Sequence, residues 1–147
     1  MMKKILGIIL ALYLICTSGM AEATLTTIGT ATYGGSDYKL IWDNDNNGNS
    51  VIWLDYTNAD LPWQDQVDWA TGLDSSLTYN IDPLYSISWD DSTWRLPATV
   101  DGPYVWGYDG TTTAGYNITS SEMGHLYYTE LGNLAYCDTS GNCPQPG

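Results

Sequence analysis

The most constraining feature of this sequence is one arginine, Arg95, which lies between a tryptophan and a leucine-proline pair. The 147 residues include only four basic residues against 17 acidic ones, so the formal net charge is −13. A guanidinium with apolar neighbours loses hydration, and only a well-placed carboxylate offsets that loss. We therefore expect a structural ion pair with Glu122, or with Glu130 as second choice. The alternative is that Arg95 binds a ligand, which is less common than a structural role for an arginine in an ion-pair network.

Residues 1–23 predict a signal peptide. Lys3 and Lys4 form a positive n-region, an apolar run follows over 5–15, and residues 21–23 supply a small-x-small cleavage pattern. The apolar run is too short to span a bilayer. We expect export to the extracellular space, the cell surface or the periplasm, with no membrane insertion after the leader is removed.

The exported chain is expected to be one domain over 24–136 with a flexible tail over 137–147. Lys39 and Arg95 are its only basic residues. So acidic a surface repels phosphate backbones and anionic headgroups, which argues against nucleic acid and membrane surfaces as partners. It is compatible with divalent cations and neutral sugars.

Two cysteines remain after the leader, Cys137 and Cys143. In an oxidising compartment we expect them to form a disulfide that closes a short loop within the tail. Metal ligation is the alternative, but no second cysteine or histidine pair stands nearby.

Runs of β-branched and aromatic residues predict the strands. The expected strands cover 25–33, 38–42, 51–56 and 85–89, and a polar loop over 43–50 joins the second to the third.

Two helices are expected. The first has Asp60 as its N-cap, Pro62 in its first turn and Gly72 at its end, and Trp63 is expected on its buried face. The second opens with a capping box over 119–122 and ends at Gly132.

The polar loop also resembles the opening of a calcium-binding loop. The loop has oxygen-bearing side chains at alternate positions and a glycine at its sixth position, a pattern that suits the binding of calcium. The candidate ligands are Asp43, Asp45, Asn47 and Asn49. The twelfth position is Leu54 where a bidentate glutamate is usual, so an Asn/Asp/Gly hairpin turn is the alternative. We expect no other cofactor.

Aromatic composition is unusual, with seven tryptophans, twelve tyrosines and no phenylalanine. Six of the tryptophans are expected in the core. The long loop over 98–118 carries Tyr104, Trp106, Tyr108 and Tyr116 as candidate ligand-binding residues. Tryptophan and tyrosine combine an apolar face with a polar tip, which suits sugar stacking, and loops often carry binding surfaces.

The sequence gives little support to a catalytic function. His125 is the only histidine and has no cysteine or serine motif beside it. The pair Asp90–Asp91 could serve as glycosidase carboxylates, but adjacent aspartates are more typical of a solvated turn. We expect no catalytic residues.

Three pieces follow one another in a recognisable order. They are a hairpin that ends in Ile-Trp-Leu-Asp-Tyr at 52–56, a helix that carries Trp63 and Trp69, and Trp-Arg-Leu-Pro at 94–97 ahead of a helix opening with Glu-Met at 122–123. In this order they resemble the Lcl C-terminal domain family, a bacterial domain of unknown function with a C-type lectin-like organisation. The stretch 101–128 is similar to secreted members that end in a Pro-Glu-Pro sorting signal.

The resemblance implies that Trp94 and Pro97 are structural, together with Arg95 and Glu122. It also has departures. Ala98 stands where the family usually has threonine. Similar proteins continue into an aromatic-rich second half and a sorting tail, so relative to the family this chain is expected to lack the strands that complete the domain.

These patterns predict an α+β fold that is C-type lectin-like, with antiparallel hairpins and two short helices. The leading hypothesis is a secreted, non-catalytic, adhesin-type module that binds extracellular carbohydrate or another surface polymer. The second is a structural component of the extracellular matrix without a discrete ligand. The third is a carbohydrate-active enzyme that uses paired carboxylates.

Overall fold

The structure, a computed structural model, describes residues 25–89 and 92–145. The predicted signal peptide and the pair Asp90–Asp91 lie outside the described residues. The strands are β1 Leu25–Tyr33, β2 Ser36–Asn46, β3 Asn49–Leu54, β4 Thr78–Ile81, β5 Trp106–Gly107 and β6 Ala114–Gly115. The helices are α1 Trp63–Ser76 and α2 Glu122–Gly124, and a π-helical segment, His125–Glu130, continues α2.

Four strands form one antiparallel sheet in the order β3-β2-β1-β4, and β5 pairs with β6 in a short parallel ladder. The predicted α+β class, with antiparallel hairpins and two short helices, is therefore confirmed. The first predicted strand matches β1 at both ends.

The predicted strand over 85–89 is wrong, and the fourth strand of the sheet lies earlier. Thr78–Ile81 pairs with β1 instead, from Gly29↔Ile81 to Thr32↔Thr78. The segment 85–89 has no ladder, but Tyr85 and Ile87 pack against the core. Its alternation of apolar and polar residues thus arises from packing on one side, which an extended coil can also achieve.

The predicted polar loop over 43–50 is also wrong. Strand β2 continues to Asn46 and β3 begins at Asn49, so only Asn47 and Gly48 form the turn. Both have positive φ, 52° and 80°, which is the conformation that an Asn-Gly hairpin turn requires. An irregularity between Asp43 and Asn46 accommodates one extra residue in β2.

The centre of the core is Ile28, Ala31 and Leu40, with Trp42, Ile52, Leu54 and Trp94 among the side chains packed around it. Ile28 and Ala31 both point inward although they are three residues apart, because the register shifts between Thr27 and Gly29. Each fully buried Ile or Leu side chain contributes about 1.5–3 kcal/mol of transfer free energy.

Helix α1 begins and ends later than expected. Its N-cap position is Pro62, not Asp60, and no side chain caps it there. Gly72 lies inside the helix, which runs on to Ser76. Ala70 and Leu73 are buried, but Trp63 is 67% exposed, so its assignment to the buried face is wrong. The helix packs through its C-terminal half, and its first turn extends into solvent.

Candidate functional site

A group of aromatic rings, two of them exposed and two half-buried, forms the candidate site, which we call the aromatic platform. It consists of Trp106, Tyr108, Tyr116 and Tyr136. The rings of Tyr108 and Tyr116 are stacked, with centroids 6.0 Å apart, and Trp106 stands edge-on to Tyr116 at 5.5 Å. Tyr136 lies 6.4 Å from Tyr116. Trp106 is 50% exposed and Tyr136 is exposed as well, whereas Tyr108 and Tyr116 are half-buried, so only part of the platform faces solvent.

Three of the four aromatic residues predicted from the sequence thus come together. The fourth, Tyr104, is 77% exposed, and no ring contact joins it to the others in the described part of the chain. Sequence reasoning missed Tyr136, because it was assigned to the end of the domain. Its proximity to Cys137 was the available signal, since a disulfide loop draws its neighbours together.

The ladder of β5 and β6 fixes the first part of the platform. The amide of Tyr116 donates to the Gly107 carbonyl at 3.1 Å, and the amide of Ala114 donates to Val105 at 3.0 Å. Gly115 has φ +127°, and a Cβ there would overlap the Gly107 carbonyl oxygen. Only glycine therefore allows the two strands to approach this closely.

A single asparagine connects the three segments that carry the rings. Asn117 has φ 62°, a conformation that asparagine tolerates better than most residues. Its side-chain amide donates to the Tyr108 carbonyl at 2.7 Å and to the Cys137 carbonyl at 3.1 Å. The platform is thus held by backbone and amide contacts, independent of the rings themselves.

The aromatic platform is contacted by the segment that the sequence assigned to a flexible tail. Cys137 and Cys143 form a disulfide, the pairing expected from the sequence. The amide of Gln145 donates to the Tyr136 carbonyl at 2.7 Å, and Gly141 lies against the ring of Tyr108. The described part of this segment, 137–145, is therefore a folded element of the site.

Reduction of the disulfide is expected to lower the free energy of unfolding by about 2 kcal/mol, the chain-entropy value for so short a loop. Because the loop supports Tyr108 and Tyr136, we also expect a weaker near-ultraviolet circular dichroism signal from the tyrosines. Urea denaturation of a Cys137→Ser/Cys143→Ser double variant measures the first effect. Equal stability of the variant and the parent would contradict it.

Two carboxylates lie close to the platform residues in sequence, the exposed Asp109 after Tyr108 and the half-buried Asp138 after Cys137. The backbone amide of Thr111, followed by its hydroxyl, holds the pKa of Asp109 below its usual range. The side chain and backbone of Asn142 do the same for the pKa of Asp138. Both groups are therefore ionised at neutral pH. They add negative charge to the segments that carry the aromatic residues.

Arg95 is engaged in a bidentate ion pair with Glu122, the partner expected from the sequence. Nη1 donates to Oε2 at 2.7 Å and Nη2 donates to Oε1 at 2.5 Å. The amide of Ala98, just after Pro97, donates to the same carboxylate at 2.6 Å. These bonds lower the pKa of Glu122, the arginine contributing most. The pair therefore joins the 94–98 segment to α2.

Trp94 and Ser121 complete this junction. The Trp94 indole donates to the Tyr79 hydroxyl at 2.7 Å, and its backbone amide donates to Asp74 at 3.1 Å. Ser121 is the N-cap of α2 and accepts a hydrogen bond from Gly124, so the expected cap at Thr119 is wrong. The expected role of Glu122 in a capping box is replaced by its bonds to Arg95 and Ala98.

The candidate calcium ligands have other partners in the structure. Asp43 is fully buried and accepts hydrogen bonds from Asn46 Nδ2 at 2.9 Å and Trp53 Nε1 at 3.2 Å. Asp45 accepts from the Gly48 amide. Asn47 donates to the Thr119 carbonyl, and the Asn49 side chain donates to carbonyls of the turn. Within 25–89 and 92–145 no group of three or more His, Cys, Asp or Glu residues is placed to hold a metal ion.

The calcium prediction has a direct thermal test. A site at the Asn47–Gly48 turn requires the melting temperature to rise with millimolar calcium and to return with chelator, since a ligand that binds the folded state stabilises it. Differential scanning calorimetry measures the shift. An unchanged melting temperature contradicts the site, and magnesium at equal ionic strength serves as the control.

Among the remaining candidates for chemistry, His125 lies within the described residues. His125 Nε2 lies 3.1 Å from Glu130 Oε1, a pair that the π-helical segment brings together at a spacing of five residues. The carboxylates proposed for a glycosidase, Asp90 and Asp91, are outside the described residues.

Within the described ranges, no helix has the length and apolar character that crossing a membrane requires.

No protein-family model, no curated protein and no solved structure matches this chain. Function is therefore argued from the chemistry of the site itself.

Proposed function

We propose that this protein is an exported, non-catalytic module that binds neutral carbohydrate through the aromatic platform. The observation that carries the proposal is a half-exposed tryptophan beside two stacked tyrosines, all on a loop fixed by backbone contacts. The C-type lectin-like organisation and the kinship with the Lcl C-terminal domain family belong to the same proposal. They rest on the sequence order of the hairpin, the tryptophan helix and the Trp-Arg-Leu-Pro segment.

The chemistry of the platform suits a pyranose ring. Aromatic faces offer a large apolar surface for the C–H face of a sugar, while the tyrosine hydroxyl and indole N–H groups provide hydrogen bonds at the rim. Because these rings have few rotatable bonds, little conformational entropy is lost when they are fixed against a ligand. Asp109 adds a carboxylate acceptor for sugar hydroxyls close to Tyr108.

The negative charge of the protein limits which polysaccharides are expected to bind. The chain carries a formal net charge of −13 and the platform is flanked by ionised Asp109 and Asp138. Polyuronates and sulfated glycans would meet repulsion at this surface. We therefore expect neutral glycans to bind better than anionic ones, and the preference to shrink as salt increases.

Replacing Trp106 with alanine is expected to weaken carbohydrate binding at least tenfold, a loss of about 1.4 kcal/mol. A glycan array scored with the parent chain and the variant is the experiment. The matched control is Trp63→Ala, since Trp63 is also exposed but lies at the start of α1. Equal losses in the two variants would contradict the platform, and a uniformly negative array with self-association would favour a structural matrix protein.

A further inference from the structure

Strand β3 has one open side. It is the edge of the sheet and, among the described residues, pairs with β2 alone. The amide of Asp55 donates to the Lys39 carbonyl at 3.0 Å, which makes Leu40↔Leu54 a non-hydrogen-bonded pair. Hydrogen-bonded pairs alternate along an antiparallel ladder, so Val51 and Trp53 direct their backbone groups toward β2. The backbone groups of Ser50 and Ile52 point to the open side.

A cleft of about 1230 Å³ follows this open side. All five residues over 50–54 line it, although successive side chains of a strand point to opposite faces of the sheet. The cleft therefore reaches the edge of the strand, and it also extends over the core-facing side of the sheet to Ile28 and Tyr79. Its opposite wall is formed by 84–89 and 92–97. Small-molecule pockets usually measure about 300–1,000 Å³, so the space suits a polymer better.

The edge lacks the features that usually prevent another strand from pairing with it. Exposed edge strands are commonly protected by charged residues, proline or short length. Strand β3, Asn-Ser-Val-Ile-Trp-Leu, has six residues with neither charge nor proline. On the opposite edge β4 has only four residues, and its alternate positions Thr78 and Asn80 are exposed.

Aspartates stand at both ends of this edge. Asp45 is exposed in β2, just before the turn that leads into β3, and Asp55 is exposed immediately after β3. Asp74 lines the cleft itself, whereas Arg95 at the cleft wall is already paired with Glu122. Exposed carboxylates therefore stand beyond both ends of β3, outside the lining of the cleft, and tryptophans such as Trp42 and Trp89 line the cleft itself.

We propose that the open side of β3 receives an extended segment of a basic partner protein, which adds a fifth strand to the sheet. Only a polypeptide backbone presents donors and acceptors at the spacing that Ser50 and Ile52 require. Apolar side chains of the segment would contact the tryptophans of the cleft, and flanking Lys or Arg residues would approach Asp45 and Asp55. A second copy of this chain is a poorer occupant, because each copy has a net charge of −13.

A random dodecapeptide library selected against the mature chain tests the proposal. We expect enriched peptides to alternate apolar and polar residues between basic ends, and to bind with micromolar affinity. The peptide that binds most tightly is then synthesised in two forms, with N-methyl groups on the odd-numbered or on the even-numbered residues, which we call the two N-methylation phases. In one phase the methylated amides face β3, and this form should lose at least tenfold in affinity. In the other phase they face outward, and this form should lose little.

A pair of protein variants provides the matching control. Ser50→Pro removes an amide that points to the open side, and proline is tolerated at such edge positions. Ser50→Ala keeps that amide but loses the hydroxyl that accepts from the Trp42 indole. Only the proline variant should weaken peptide binding, with both variants showing similar circular dichroism spectra.

Four results would overturn the proposal. They are the absence of any enriched peptide, equal effects of the two N-methylation phases, unchanged binding by Ser50→Pro, and displacement of the peptide by the neutral oligosaccharide that binds the platform. A concentration-dependent dimer that Ser50→Pro abolishes would assign the edge to a second copy instead. The proposal does not depend on carbohydrate binding, because the cleft and the platform share no residues.

Discussion

Replacing Glu122 with alanine is expected to lower the free energy of unfolding by about 2 kcal/mol. The Glu122 side chain is only 14% exposed, and its carboxylate accepts hydrogen bonds from the two terminal guanidinium nitrogens of Arg95 and from the Ala98 amide. Its loss removes the connection between the 94–98 segment and α2. Because Arg95 is 53% exposed, water recovers part of the loss, and a larger figure is not expected. Urea denaturation followed by tryptophan fluorescence measures the change.

A double-mutant cycle separates the ion pair from other effects of truncation. The variants are Arg95→Met, Glu122→Gln and their combination. Since the two side chains form two direct hydrogen bonds, we expect a coupling free energy of about 1 kcal/mol or more. Simple additivity of the two single changes would contradict a structural role for the pair and return Arg95 to the candidates for ligand binding.

The same pair predicts a dependence on pH. The hydrogen bonds from Arg95, more than the bond from Ala98, keep the pKa of Glu122 in the folded state below the usual glutamate range. A depressed pKa means that the carboxylate stabilises the fold fully above its unfolded pKa, and that this contribution is lost as pH falls through the folded value. The difference in stability between the parent and Glu122→Gln should therefore shrink in acid. Asp109 and Asp138 are present in both proteins, so their titration cancels.

Replacing Gly115 with alanine is expected to disrupt the aromatic platform. Alanine at φ +127° is strained by about 1–3 kcal/mol, and its Cβ would overlap the Gly107 carbonyl oxygen across the β5–β6 ladder. The strands must separate, which moves Trp106 away from Tyr116. We expect a loss of stability of about 2 kcal/mol or more and at least a tenfold loss of glycan affinity.

The matched control is Gly72→Ala. Gly72 lies inside α1, a Cβ there meets no atom within 4 Å, and alanine favours a helix by up to about 1 kcal/mol. This variant should be as stable as the parent or more so, with unchanged glycan binding. If Gly115→Ala bound glycans like the parent, the platform would not depend on the close approach of β5 and β6.

The sheet was largely predictable because its signals are local. The alternation in β1 and the β-branched and aromatic residues of β2 and β3 report burial on one side of a strand. The strand Thr78–Ile81 escaped detection because it is short and follows a helix directly, and its existence depends on pairing with β1. Segment 85–89 has the stronger strand composition but no partner strand, so composition alone misplaced it.

The Asn-rich turn shows why one sequence motif can be compatible with two structures. Its residues match a calcium loop in sequence, and the same residues supply what a two-residue hairpin needs, namely positive φ at Asn47 and Gly48. Their side chains also attach the hairpin to α2, since Asn46 donates to the Glu122 carbonyl and Asn47 donates to the Thr119 carbonyl. Contacts over more than seventy residues cannot be derived from a local pattern.

The candidate site was predictable in type but not in extent. An aromatic loop in an acidic chain pointed to Trp106, Tyr108 and Tyr116. The contributions of Asn117, Gly115 and the disulfide loop depend on tertiary contacts that spacing does not reveal. Arg95 and Glu122 were an easier case, because an acidic chain with only two basic residues beyond position 23 leaves few ways to satisfy a guanidinium.

Isothermal titration calorimetry with a neutral oligosaccharide tests the proposed function most directly. The ligand is the one that ranks highest on the glycan array, titrated into the parent chain, Trp106→Ala and Trp63→Ala at two temperatures. We predict saturable binding with a negative heat-capacity change for the parent and Trp63→Ala, and at least a tenfold weaker affinity for Trp106→Ala. Identical isotherms for the parent and Trp106→Ala, or no binding heat for any neutral glycan, would contradict the proposal.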